Sequence, residues 1–401
     1  MGYLRYWGAM VRYAVIGGSR VYYGWLALLA CGVVAGVVAY SHQLERGLSV
    51  TALSDQVSWG AYIANFTFLV GIAAAAVLLV VPSYVYKRED VKEVVLVGEL
   101  LAVSAIVMCL LFVTVDIGRP DRILHMLPFI GRLQFPRSVL AWDVVVLTGY
   151  LLLNLHIPGY LLYKRYRRQR PSERYYLPFV FLSIIWAISI HTVTAFLYSG
   201  LGGRPYWNTA ILAPRFLVSA FASGPALLII IFGTLRRFEA HDVSESVTEL
   251  LRKILTFTIP LNLFLLGCEV FKEFYTDSAH VISARYLFYG IGTHKMLAPY
   301  IWAAIVMQVL ALAVCLTPAI RRRDGPLVVA SVLCVVGVWV EKGMGLIVPG
   351  FIPTPAGDLV EYTPSGHEIV ICLGIWCVGA LLFSLMTRVA LAIQNGRLEG
   401  R

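Results

Sequence analysis

The stretch LPFVFLSIIWAISIHTVTAFLYS, residues 177–199, holds no Asp, Glu, Lys or Arg. At about 1.5 Å of rise per residue, a helix of this length crosses the roughly 30 Å hydrocarbon core of a bilayer. Of the side chains that titrate near neutrality it holds one, His191. A charge at the centre of such a helix costs roughly 2.5–3.5 kcal/mol on insertion scales, so an ionisable residue kept there is read first as functional. A polar side chain satisfied by a neighbouring helix is the plain alternative.

The rest of the chain repeats this pattern. Of 401 residues, 59% are hydrophobic and 14% charged, and the mean hydropathy is +0.76. A soluble core cannot hide that much apolar surface, so the chain reads as an all-α, polytopic membrane protein. Ten apolar runs lie near residues 22–40, 58–82, 94–115, 139–162, 178–198, 214–234, 253–272, 297–317, 326–345 and 367–390. Their spacing groups them, within one membrane domain over 1–401, as a first helix (22–40), a four-helix bundle (58–198), a second one (214–345) and a last helix (367–390). The first run follows Arg5, Arg12 and Arg20, as in a signal peptide. Its length of about 18 residues and its lack of a small-x-small cleavage site favour a retained helix.

The net charge of +10 does not point to nucleic acid, because the basic residues sit in short clusters between apolar runs. The N-terminus, the even-numbered loops and the C-terminus carry about 22 of them, against about 11 in the odd-numbered loops, which places both termini in the cytoplasm. The inner clusters include Lys87-Arg88, Lys164 to Arg170, Arg236-Arg237 and Arg321-Arg322-Arg323. The outer loops are longer and rich in Gly, Pro and aromatics: Asp116 to Pro136, Gly200 to Pro214, Phe274 to Pro299 and Met344 to Pro364. Long structured loops on one side suggest a docking surface for partner subunits.

Each run's direction then fixes the depth of its polar residues. Asn65, Asp116, Asp143, His191, Arg215, Glu269 and Glu368 all fall toward the outer face. Carboxylates, an imidazole and an arginine at similar depth suit a proton-coupled site. Bland readings stand beside this one. Asp116 can pair with Arg119 at a helix end, Arg215 can anchor headgroups, Asn65 can bridge helices, and Asp143 can simply favour a helix N-terminus. Glu99 lies apart, toward the cytoplasmic end of the third run, where it opens an inward proton path, meets the headgroup region or pairs with a basic inner loop.

The seven cysteines form no CxxC or Cys/His ligand set, so an iron–sulfur cluster or metal site in this chain is not expected. Bis-histidine haem needs two deep histidines, and of eight only His191 is deep. Two classes other than an oxidoreductase subunit stay open, a proton-coupled transporter and a structural anchor. Transporters tend to break helices in paired positions, and Pro260 in the seventh run shows no obvious counterpart.

The segments Trp59 to Asn65 with Gly71, Asp116 to Pro120, His191 to Gly200 with Trp207 and Pro214-Arg215, Gly267 to Phe271, and Tyr362 to Ser365 before Glu368 resemble the NrfD/PsrC family. Ten runs point to its longer branch, and the Pro-Arg and Thr-Ala-Phe details are most similar to the DsrP-type subunits of DsrMKJOP-type sulfur-metabolism complexes. The resemblance implies a multi-pass inner-membrane subunit without haem. It would bind menaquinone or ubiquinone near the outer face and exchange electrons with a periplasmic-side, ferredoxin-like iron–sulfur subunit. Further membrane and cytochrome subunits would complete the complex. On this reading His191, Asp116, Asp143 and Glu269 accept protons, while Asn65, Tyr198 and Arg215 position the headgroup. Asp116, His191 and Glu269 lie inside the matching motifs; Asn65, Asp143 and Tyr198 are assigned by depth.

Overall fold

The computed structural model describes residues 2–127, 129–238, 243–277, 281–318 and 323–400. Arg321 and Arg322 of the last basic cluster lie outside the described residues, as do Pro128 and residues 278–280 of two loops expected on the outer side. The helices are α1 (Gly2–Val15), α2 (Arg20–Arg46), α3 (Ala61–Ala74), α4 (Val77–Val80), α5 (Glu89–Asp116), α6 (Val139–Tyr166) and α7 (Leu177–Ser199). They continue with α8 (Leu212–Arg237), α9 (Glu245–Thr276), α10 (Val281–Phe288), α11 (Ala298–Leu316), α12 (Asp324–Lys342), α13 (Met344–Ile347) and α14 (Gly366–Gln394). No strand forms among the described residues.

Ten of these segments are long and apolar enough to cross a membrane. In hydrocarbon every backbone N–H and C=O must find its partner within the segment, which leaves the helix as the stable form for each run. Serines set several starts. Ser19 accepts from Tyr22 N–H at 3.1 Å, and Ser365 with Glu368 closes a reciprocal capping box at the head of α14.

The second run is not one helix. It stops at Ala75, resumes as the single turn α4, and closes as a π-turn over Val81–Val85. The ninth run breaks at Gly343, where an added Cβ would lie 2.6 Å from Trp339 O and 3.2 Å from Ala64 O. Only a residue without a side chain lets α3 pass that close.

Helices α3, α5, α6 and α7 pack in a closed ring, each against the next, and α8, α9, α11 and α12 form a second ring. The rings meet where Gly224 of α8 faces Ala75 after α3; a Cβ on Gly224 would overlap that methyl. Outside the first ring, α2 and α14 cross with Gly36 and Gly374 in backbone contact, within the spacing Gly32-x-x-x-Gly36. Such small-residue crossings let van der Waals packing hold helices that gain no hydrophobic driving force in lipid.

Pro225 sits midway along α8 as Pro260 does along α9, so Pro260 has a counterpart that the sequence reading missed. Both helices run on through their prolines. Helix α1 was also not expected. It packs on α14 through Tyr6 and Ala14 and leaves Leu4, Trp7, Val11 and Val15 exposed.

Candidate functional site

The expected outer-face residues share one end of the molecule, the end that carries Trp59. They do not form one cluster. Depth along a helix leaves its azimuth open, and the two rings draw these residues apart.

In the first ring, Asp143 lies in the first turns of α6 and accepts a hydrogen bond from Thr194 Oγ1 at 2.7 Å. Thr194 is one turn beyond His191 on α7, and Tyr198 one further turn, so the three share a face. His191 Nδ1 lies 2.9 Å from Ala187 O. A carbonyl only accepts, so Nδ1 carries the proton and donates it. Nε2 is therefore a bare lone pair, buried and without a hydrogen-bond partner among the described residues. Tyr198 Oη and Thr67 Oγ1 are 2.5 Å apart, and Thr67 gives its own proton to Ile63 O at 2.7 Å. Tyr198 is thus the donor in their contact. An aromatic group of Trp59, Tyr198, Trp207, Phe216 and Phe351 packs above, with centroid separations of 5.1 to 6.0 Å. Trp207 is pinned there by its Nε1–H to Leu346 O at 2.8 Å.

The second ring holds a different assembly. Arg215 of α8 is in direct ion-pair contact with Glu269 of α9 and reaches Glu341 Oε1 of α12 at 3.0 Å. Asn262 Nδ2 donates to Glu341 Oε2 at 2.8 Å and Gln308 Nε2 to the same oxygen at 2.9 Å. Lys342 is 2% exposed, its Nζ has no hydrogen-bond partner among the described residues, and it stands 4.5 Å from the centroid of Phe216. Arg215 therefore faces two carboxylates in a buried space, which limits the cost of taking each from water, while Lys342 stands apart from both. A sequence reading that weighed Glu269 and Arg215 missed Glu341, Lys342, Asn262 and Gln308. The Glu341-Lys342-Gly343 run looks like an interfacial helix end, and neutral amides draw no attention in a scan for charge.

Asp116 and Glu368 form a third group beside α2 and α14. Glu368 is fully buried, accepts from Ala52 N–H and Ser365 N–H at 2.8 Å each, and takes the Tyr362 hydroxyl as well. Asp116 closes α5 within electrostatic reach of Glu368, with Oδ1 buried and unpartnered among the described residues. The expected Asp116–Arg119 option does not form: Arg119 pairs instead with Asp121 at 3.0 Å on the surface.

Asn65 is held between the rings and α14. Its Oδ1 accepts from Trp339 Nε1 at 3.0 Å and Trp376 Nε1 at 2.9 Å, while Nδ2 donates to Ala61 O at 2.8 Å. With its acceptor filled twice and its second amide hydrogen directed at Cys372 Sγ, 3.6 Å away, Asn65 offers a headgroup nothing unless a partner withdraws. Glu99 is buried in α5 and makes no hydrogen bond or ion pair among the described residues. Outside the spans, burial pushes the Tyr206 hydroxyl up to about 12, keeping it a proton donor beside this end of the second ring.

The profile of the family described as polysulphide reductase, NrfD, matches residues 49–352, which contain both rings. A Halobacterium salinarum protein named as a putative dimethyl sulfoxide reductase membrane subunit is 27% identical over 90% of this chain and 89% of its own length. A selenate reductase subunit of Mesobacillus selenatarsenatis is 22% identical over 92% of this chain and 94% of its own. The Hdr-like menaquinol oxidoreductase integral membrane subunit of Archaeoglobus fulgidus is 21% identical over 94% and 97%.

Proposed function

We propose that this chain, which belongs to the polysulphide reductase NrfD family, is the quinone-reactive membrane subunit of a respiratory oxidoreductase complex. The observation that carries the reading is the bare Nε2 of His191, enclosed one turn from the Asp143–Thr194 pair. Supporting it, two relatives are named as subunits of reductases and one as part of a menaquinol oxidoreductase.

Quinol oxidation releases two protons and two electrons. His191 Nε2 takes one hydroxyl proton, and Asp143, oriented by Thr194, takes the other; the Tyr198 hydroxyl orients the headgroup. In the reducing direction the same groups return the protons. The electrons pass to a partner subunit, an iron–sulfur protein on the Trp59 end, which the basic loops leave on the outer side of a membrane with both termini cytoplasmic.

The loop after Asp116 supports that docking face. Leu124, Leu127, Phe129, Ile130 and Phe135 are exposed there, among exposed Arg122, Arg132 and Arg137. An apolar patch rimmed by arginines suits an acidic-rimmed protein partner.

The test uses the native complex with its quinone pool. His191→Gln is expected to lower quinol turnover by about 10²-fold or more, the usual worth of a positioned general base, with the complex still assembled. Unchanged turnover in that variant refutes the assignment.

A further inference from the structure

Between the two rings lies a cavity of about 10 Å³, close to the room one water needs, lined by Thr67, Phe216, Ser219, Ser223, Val338 and Lys342. Thr67 belongs to the first ring and already touches Tyr198; Ser219 and Ser223 belong to the second, one and two turns along α8 from Arg215. Lys342 is the ionisable member of this lining, deeply buried, with Nζ unpartnered among the described residues. It lies within electrostatic reach of His191 on one side and of Arg215 and Glu341 on the other.

A permanently paired lysine would sit against a carboxylate. Here the Glu341 oxygens are taken up by Arg215, Asn262 and Gln308, and Lys342 is left at the cavity with only the face of Phe216 beside it. Lysine, unlike arginine, can both take up and give up a proton within a protein, so it suits a group that changes charge.

We infer that Lys342 is a proton carrier that joins the two rings. This rests on the quinone reading of the first ring and extends it. A proton taken by His191 Nε2 leaves the first ring when the Lys342 amine becomes an ammonium, by way of a water held in the cavity, since the lining hydroxyls already donate to backbone carbonyls. Lys342 returns to the amine when that proton passes on to the second ring, whose buried carboxylates include Glu341, Glu269 and Glu273. No electron moves in this step, and each proton lost by one group is gained by the next.

The experiment compares Lys342→Met, Lys342→Arg and the charge-balanced Glu341→Gln/Lys342→Met pair in the whole complex, in liposomes. A pH-indicator dye follows proton release in a single quinol turnover, and partner reduction is followed in parallel. Arginine keeps the charge and does not give up its proton. All three variants are expected to slow proton release at least tenfold relative to electron transfer. Wild-type proton release in Lys342→Arg overturns the carrier role and leaves a fixed counter-charge in its place. A wild-type complex that oxidises no quinol overturns the quinone reading, and this link with it.

Discussion

Thr194 gives its hydroxyl proton to Asp143 at 2.7 Å across the α6–α7 contact, one turn from His191. The bond sets where a buried carboxylate points. Thr194→Val removes the donor at nearly constant volume and leaves that carboxylate short of a partner, at a cost of about 1–3 kcal/mol. The thermal midpoint of the complex should drop and quinol turnover should fall roughly tenfold. Thr194→Ser, which restores the hydroxyl, should recover both. A Val variant that matches wild type in turnover would show that Asp143 needs no orienting.

The Arg215–Glu269–Glu341 contact predicts an asymmetry between single and paired substitutions. Arg215→Met alone strands two buried carboxylates and should cost about 3–5 kcal/mol. Arg215→Met with Glu269→Met removes one of those carboxylates and leaves Glu341 held by the Asn262 and Gln308 amides, and should regain at least half of that loss. Thermal unfolding in nanodiscs measures the difference. Equal stability of the single and double variants would mean that the charges do not act as one network.

Phe129 and Ile130 stand exposed on the loop between α5 and α6. Phe129→Asp and Ile130→Asp should each abolish co-purification of the redox partner while leaving the helical signal of this chain unchanged. Retention of the partner in both variants would move the docking face elsewhere.

A pH effect is expected at the opposite end. The Arg88 guanidinium, with help from the Ser246 hydroxyl at 2.5 Å, holds the Asp90 carboxyl down at about 2. Because the folded-state value lies below the unfolded one, this contribution is full above about pH 4 and is lost as pH falls toward 2. The stability gap between wild type and Asp90→Asn should therefore be widest near neutrality and close in acid. Midpoints measured from pH 6 to pH 3 check the sign; a gap that widens on acidification contradicts it.

Hydropathy made the ten spans legible, and their spacing suited, without requiring, a grouping into two four-helix units. His191 stood out because nothing else charged interrupts residues 177–199. What depth could not supply was azimuth. Asp143 and Arg215 fall near the same level yet face different ring interiors, and Asp116 meets Glu368 of a helix more than two hundred residues away. Asn65 is a similar case, since both indoles that fill its carbonyl come from beyond residue 330. Helix α1 escaped because its arginines were counted as loop charge.

The central claim, that the bare Nε2 of His191 faces a quinone headgroup, is tested most directly by a structure of the native complex with a quinone-site inhibitor bound. The account predicts an inhibitor oxygen within about 3.2 Å of Nε2, with Asp143 and Tyr198 beside the ring. An inhibitor seated elsewhere, with His191 still enclosed by α6 and α7, would contradict it.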